Sequence, residues 1–171
     1  MFAPEQLVVY PAQGVGVIER LENQEAGGHT LEMYIIRILT NNITVMVPTK
    51  NAGTVGLRPL CSVDEANEVL QFLQDRSTFT GYSGQNWNRR YREYSEKLKS
   101  PCLMDVAYVL KELFLISGEK DLSFGERRLL EQSMCLVCSE VAQVLSKDLD
   151  EIRVLVEAFF EDIKQKSEKD A

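Results

Sequence analysis

Hydrophobic and polar positions follow two different periods along this chain, and the change falls near residue 60. Before it, apolar residues come in short runs broken by turn formers. Leu7 to Tyr10 is a β-type run closed by Pro11. Gly14 and Gly16 punctuate the next stretch, Val15 to Leu21, and Ala26-Gly27-Gly28-His29 reads as a turn. Leu31 to Leu39 is rich in Ile, Leu and Tyr, and Asn41-Asn42 makes a second turn, because Asn tolerates positive φ. In the run that follows, Ile43, Val45 and Val47 share one face while Thr44 and Met46 share the other. Pro48 stops that ladder because it has no N–H to donate. Short strands at this spacing predict a small, strongly bent sheet or barrel.

From Ser62 onward the period is helical. Ser62 with Glu65 fits a capping box, in which the hydroxyl takes the third helical N–H and the carboxylate reaches back to the cap N–H. Ser123 with Glu126 repeats it, and Asp148 with Glu151 is a variant with a carboxylate as cap. Ser100-Pro101 reads as cap plus first-turn proline, and Asn86 caps a further helix. These signals predict helices near 62–75, 86–99, 101–117, 123–146 and 148–166, with a loop over 76–85 and a fraying tail after about 164. The expected fold is α+β: a small β domain over 1–60, then an all-α bundle of about five helices over 61–171.

Charge changes the picture more than composition does. The 171 residues carry a net charge of −7, which argues against a general nucleic-acid binder. The distribution is uneven. Residues 76–99 hold Arg76, Arg89, Arg90, Arg92, Lys97 and Lys99 against only Glu93 and Glu96, a local net of +4. With screening over ~8 Å at physiological salt, such a strip acts locally whatever the total. Affinity for bare DNA is expected to be weak and salt-sensitive, since few phosphates can be neutralised. No apolar run reaches the ~18–20 residues of a membrane span, and no basic-then-apolar leader opens the sequence. The expected location is the cytoplasm, where the four cysteines are reduced thiols.

The segment from Asn86 to Leu98 reads NWNRRYREYSEKL. On a helix, Trp87, Tyr91, Tyr94 and Leu98 form one stripe, with Arg90 at its border and Arg89 and Arg92 on other faces. Two readings are open. The stripe can be ordinary core under solvated arginines. Alternatively, Trp87, in the first turn and followed at once by Arg89 and Arg90, can push into a base step while the guanidiniums hold phosphates.

The string NWNRRYREYSEKLKS and the later DLSFGERRLLEQS (121–133) resemble the C-terminal domain of CarD/CdnL transcription regulators. VVYPAQGVGVIE (8–19) and ITVMVPTKNAGTVGLRPL (43–60) resemble their RNA-polymerase-interacting domain, a type also found in transcription-repair coupling factors. The resemblance runs through nearly the whole chain, in order and at similar spacing. It implies a Tudor-like β domain that docks on the polymerase β subunit. It also implies a helical domain that sets a tryptophan wedge at the upstream edge of the −10 element and stabilises the open promoter complex. Carried over by position, Trp87 is the wedge, Arg89 and Arg90 are backbone contacts, and Arg92 is a further basic position. Ile36, Met46 and Pro48 match positions associated with polymerase contact. Some relatives carry arginine where this chain has Met46, so the contact implied here is apolar.

Other chemistry finds little support. Cys135-Leu-Val-Cys138 is a CxxC, but it lies among Leu130, Met134, Leu136 and Val141 of a predicted helix, and the only histidine is the distant His29. Structural zinc needs four ligands at recognisable spacing, so these read as core cysteines. Asp148/Asp150 and Glu161/Asp162 read as caps and solvated faces, and there is no nucleophile–base set. No enzyme activity, cofactor, metal or small-molecule substrate is expected. The alternatives are an adaptor of the transcription machinery without direct DNA contact, which would place Trp87 in the core, and an operator-specific DNA regulator.

Overall fold

The computed structural model describes residues 1–77 and 86–169. Most of the expected loop over 76–85 therefore lies outside the described residues. The chain divides into two compact units, Met1–Leu60 and Cys61–Ala171. The architecture is α+β, as the sequence predicts.

The first unit is a single antiparallel sheet in the order β1 (Leu7–Tyr10), β2 (Gly14–Ala26), β3 (His29–Ile38), β4 (Thr44–Pro48), followed by a 3-10 turn at Thr49–Asn51. The β2–β3 hairpin turns on Gly27 and Gly28, both at positive φ, between the paired Ala26 and His29. This is the two-residue connection that the twist of the strands favours. Asn42 also takes a left-handed φ of 57° in the β3–β4 connection. The inner face of the sheet closes over Val8, Ile18, Tyr34, Ile36, Ile38, Val47 and Leu57. Along β3 this core takes alternate residues, which leaves Met33, Ile35 and Arg37 on the outer face. On the β1 side, Val9 exchanges backbone hydrogen bonds with Arg58 at 2.7 and 3.2 Å, so that edge is paired. β4 is the other edge of the sheet.

The second unit comprises α1 (Val63–Gln74), α2 (Trp87–Leu98), α3 (Leu103–Ser117), α4 (Phe124–Leu145), α5 (Leu149–Ala158) and α6 (Glu161–Lys169). Both capping boxes form: Glu65 N–H donates to Ser62 and Ser62 N–H to Glu65, and Ser123 and Glu126 do the same. Asp148 caps α5 by accepting from Asp150 and Glu151 N–H. α3 is the central helix, with Val106, Ala107, Val109, Leu110 and Leu113 at most 4% exposed.

Two boundaries differ from expectation. α3 starts at Leu103, not at Pro101, because the Ser100 hydroxyl binds the Asp105 carboxylate and accepts the Cys102 N–H. The helix expected over 148–166 is two helices. Phe160, fully buried, stacks on Phe114 with ring centroids 4.4 Å apart, while the Phe159 carbonyl accepts from Arg76. Burying that ring turns the chain between α5 and α6, a tertiary demand that helical periodicity does not record. α6 also continues helical past the position where fraying was expected, to Lys169.

Candidate nucleic-acid interface

α2 starts where Asn86 accepts the Asn88 N–H at 2.8 Å, which satisfies one of the donors that a helix N-terminus leaves open. Trp87 follows directly and is half-buried. Its indole rests on the first turn of α4: a Cβ added to Gly125 would stand 2.9 Å from Trp87 Cζ2, so only glycine admits the ring there. Tyr91, one helical turn on, tilts at 56° to the indole with centroids 5.5 Å apart and is 49% exposed. Tyr94 and Leu98 are buried. The predicted stripe therefore divides. Its far end is core, and its near end is a half-covered indole beside an exposed tyrosine.

The arginines divide as well. Arg89 and Arg92 are exposed, and among the described residues neither has an ion-pair partner. Arg90, expected beside Arg89 as a backbone contact, faces inward instead. It is 5% exposed, its Nη2 lies 2.8 Å from the Glu126 carboxylate, and its guanidinium sits 5.5 Å from the Trp87 ring centroid. Positions 90, 94 and 98 are one helical turn apart each, so Arg90 shares the face of Tyr94 and Leu98. Glu126 also accepts from Lys120 at 2.8 Å and from Ser123 N–H at 2.8 Å. Burial opposes its ionisation, but the hydrogen bonds from Lys120, the Ser123 backbone and Arg90 prevail and bring the carboxyl from 4.5 to about 2.

The basic strip is thinner than the sequence suggests. Arg76 is bound to Asp162 and to the Phe159 carbonyl, and Lys97 lies 3.9 Å from Asp105 and over the Tyr108 ring. Arg89, Arg92 and Lys99 remain outward. The first turns of α4 add what the sequence reading missed. Phe124 is 85% exposed next to the glycine that seats the indole, and Arg127 and Arg128 are exposed beyond it. The signal was present in SFGERR, an aromatic directly after the helix cap with two arginines one turn on. What the string alone does not show is that this turn lies against Trp87.

On the sheet unit, the three expected polymerase-contact residues do not share a surface. Met46 is 47% exposed and Pro48 is half-buried on β4. Ile36 is fully buried on the inner face, so its expected role at a surface is corrected. The cross-strand partner of Met46 is Ile35, which is itself only 2% exposed, so of this pair Met46 alone is exposed.

The CxxC cysteines sit within α4. Burial pushes the Cys138 thiol up to about 12 and also raises that of Cys135, so neither is a thiolate near neutral pH. Among the described residues, no helix is long and apolar enough to cross a membrane, and no group of three or more His, Cys, Asp or Glu side chains is placed to hold a metal ion.

The chain is a small antiparallel sheet unit followed by a helical unit, and both parts match domains of one class of transcription regulators. Residues 2–61 match the CarD-like/TRCF RID domain, and residues 68–157 match the CarD C-terminal domain. The chain belongs to the CarD family of transcription regulators. It is 28% identical over 143 residues to "Putative transcription factor YdeB" of Bacillus subtilis (strain 168), covering 82% of this chain and 90% of that protein.

Proposed function

We propose that this protein acts at transcription initiation in the cytoplasm, binding the RNA polymerase β subunit with its sheet unit and promoter DNA with its helical unit. Trp87 wedges into the duplex at the upstream edge of the −10 element and stabilises the open complex. Arg89 and Arg92 hold the flanking phosphates, with Arg127 and Arg128 of α4 in support. The observation that carries this reading is the half-open indole at a helix end, against exposed Tyr91 and against Gly125, the residue after exposed Phe124, on a helix whose Arg89 and Arg92 face outward. Exposed aromatics next to arginines suit insertion into a base step with phosphate anchoring.

The polymerase contact is assigned to the outer face and free edge of β4, through Met46 and Pro48. An edge strand offers unpaired backbone groups to a strand of the partner, and the exposed thioether adds an apolar contact. Neither surface needs high affinity. Polymerase raises the local concentration of the helical unit near the promoter, which suits a chain of net charge −7 with few outward cations.

The half-burial of Trp87 is the observation that favours the adaptor reading, in which DNA is not touched. The lifetime of open complexes formed by purified polymerase, with parent protein and with Trp87→Ala, separates the two. A lifetime extended by the parent and not by the variant supports the wedge. Equal extension by both supports the adaptor.

A further inference from the structure

The first turns of α2 and α4 are joined by a charged pair removed from solvent. The side chains of Arg90 and Glu126 are 6% and 1% exposed and 2.8 Å apart. Glu126 also receives Lys120 and closes the Ser123 capping box, so one carboxylate gathers two cations and a backbone N–H. A buried ion pair contributes little net stability, because removing both charges from water offsets their attraction. Two apolar side chains of similar volume would hold the helices together at least as well. The presence of charge here therefore needs a geometric reason.

The neighbours of the pair supply one. The Arg90 guanidinium lies 5.5 Å from the centroid of the Trp87 ring and 6.0 Å from that of Tyr94. Glu126 directly follows Gly125, the residue on which the indole rests. Each partner thus adjoins one of the two surfaces that hold the ring. A guanidinium held by a charged hydrogen bond from Nη2 to the carboxylate, with aromatic rings 5.5 and 6.0 Å away, has a preferred direction, whereas an apolar contact slides.

We propose that the Arg90–Glu126 pair is a positioning device for Trp87, locking the first turn of α2 on that of α4 so that the indole keeps one orientation on Gly125. This inference rests on the reading of Trp87 as the ring that enters DNA. A ring held in place before insertion does not lose its rotational freedom at that moment, and preorganisation of this kind strengthens binding without new contacts. Arg90 and Glu126 are positioning residues, and nucleic acid meets Trp87 alone of the three.

Trp87 is the single tryptophan of the chain, so its fluorescence reports this site and no other. The experiment compares the full-length parent, Glu126→Gln, and the double variant Arg90→Met with Glu126→Leu. The double variant leaves no buried charge at the pair and keeps the fold measurable if Glu126→Gln does not fold. Circular dichroism monitors folding. Acrylamide quenching and anisotropy monitor the ring, and open-complex lifetime on purified polymerase monitors function. The expected result is a folded double variant with a larger quenching constant, a lower anisotropy, and an open-complex lifetime about two- to tenfold shorter than the parent's, the cost of one unrestrained side chain. A folded double variant with parental quenching and anisotropy overturns the proposal. So does a loosened ring with a parental lifetime at a promoter where Trp87→Ala shortens it. If Trp87→Ala leaves the lifetime unchanged, the DNA reading fails, while the two fluorescence measurements still decide whether the pair holds the ring.

Discussion

Trp87 lies against Gly125 so closely that a single added methyl group at position 125 would come within 2.9 Å of Cζ2. The seat of the indole is thus another helix's first turn, 38 residues further along the chain. Separations below about 3 Å force one group to move, and a half-buried ring yields more readily than helix backbone.

Gly125→Ala is therefore expected to displace the ring and leave the fold intact. Alanine is favoured over glycine in a helix by about 0.5–1 kcal/mol, which offsets part of the local strain. Tryptophan emission should shift to the red, and open-complex stabilisation should fall. A parental emission spectrum would show that the ring accommodates the methyl group in place.

Arg89 and Arg90 are neighbours in sequence with opposite surroundings, and alanine should separate them. Removing Arg90 breaks a buried pair, for which about 3–5 kcal/mol is typical, and the lower end is expected because Lys120 still meets Glu126. Removing exposed Arg89 should change stability by no more than about 0.5 kcal/mol. On DNA in the presence of polymerase, Arg89→Ala should reduce the salt slope of binding by about 1. Urea denaturation and a salt titration read the two effects. An Arg90→Ala protein as stable as the parent would refute the assignment of Arg90 to the interior.

The parts of this structure legible in the sequence are those decided within a few residues. Capping boxes at Ser62 and Ser123 and the Asp148 cap set helix starts through contacts three residues long, and all three form. The α5–α6 break was hidden because it depends on Phe160 meeting Phe114, two rings 46 positions apart. At the candidate site, charge suggested that Arg90 belongs with Arg89, while its spacing from Tyr94 and Leu98 places it inside. The partner that makes an interior arginine tolerable, Glu126, could be recognised in sequence only as a capping residue. Ile36 shows the same limit for strands. Ile35 and Ile36 are adjacent on opposite faces of β3 and both at most 2% exposed, and the sequence pattern does not say that both faces are covered there.

Met46 and Ile36 give a paired test of the sheet surface. Met46→Glu replaces an exposed side chain on the outer face and should leave the thermal transition nearly unchanged while weakening capture of the polymerase β lobe. Ile36→Ala empties part of the core and should cost about 2–5 kcal/mol. Undiminished capture by Met46→Glu would remove β4 from the interface.

Acid should loosen the α2–α4 junction in a defined window. The Glu126 carboxyl titrates at about 2 in the folded protein, below its ordinary 4.5, so the folded state favours the ionised form. A group whose pKa is depressed by folding contributes its full stabilisation above the unfolded value and loses it as pH falls through the folded one. Glu126→Gln has no such proton to gain. The stability difference between parent and Glu126→Gln should therefore be constant from neutral pH down to about 5 and shrink between there and about 2. In the folded parent the carboxylate itself takes up a proton only near pH 2, so Trp87 should become more open to quenching there, as Arg90 loses its counter-charge, and not at higher pH. A stability difference that stays constant down to pH 2 would mean that Glu126 is not held ionised by Lys120, Ser123 and Arg90, and the contacts drawn at that carboxylate would have to be abandoned.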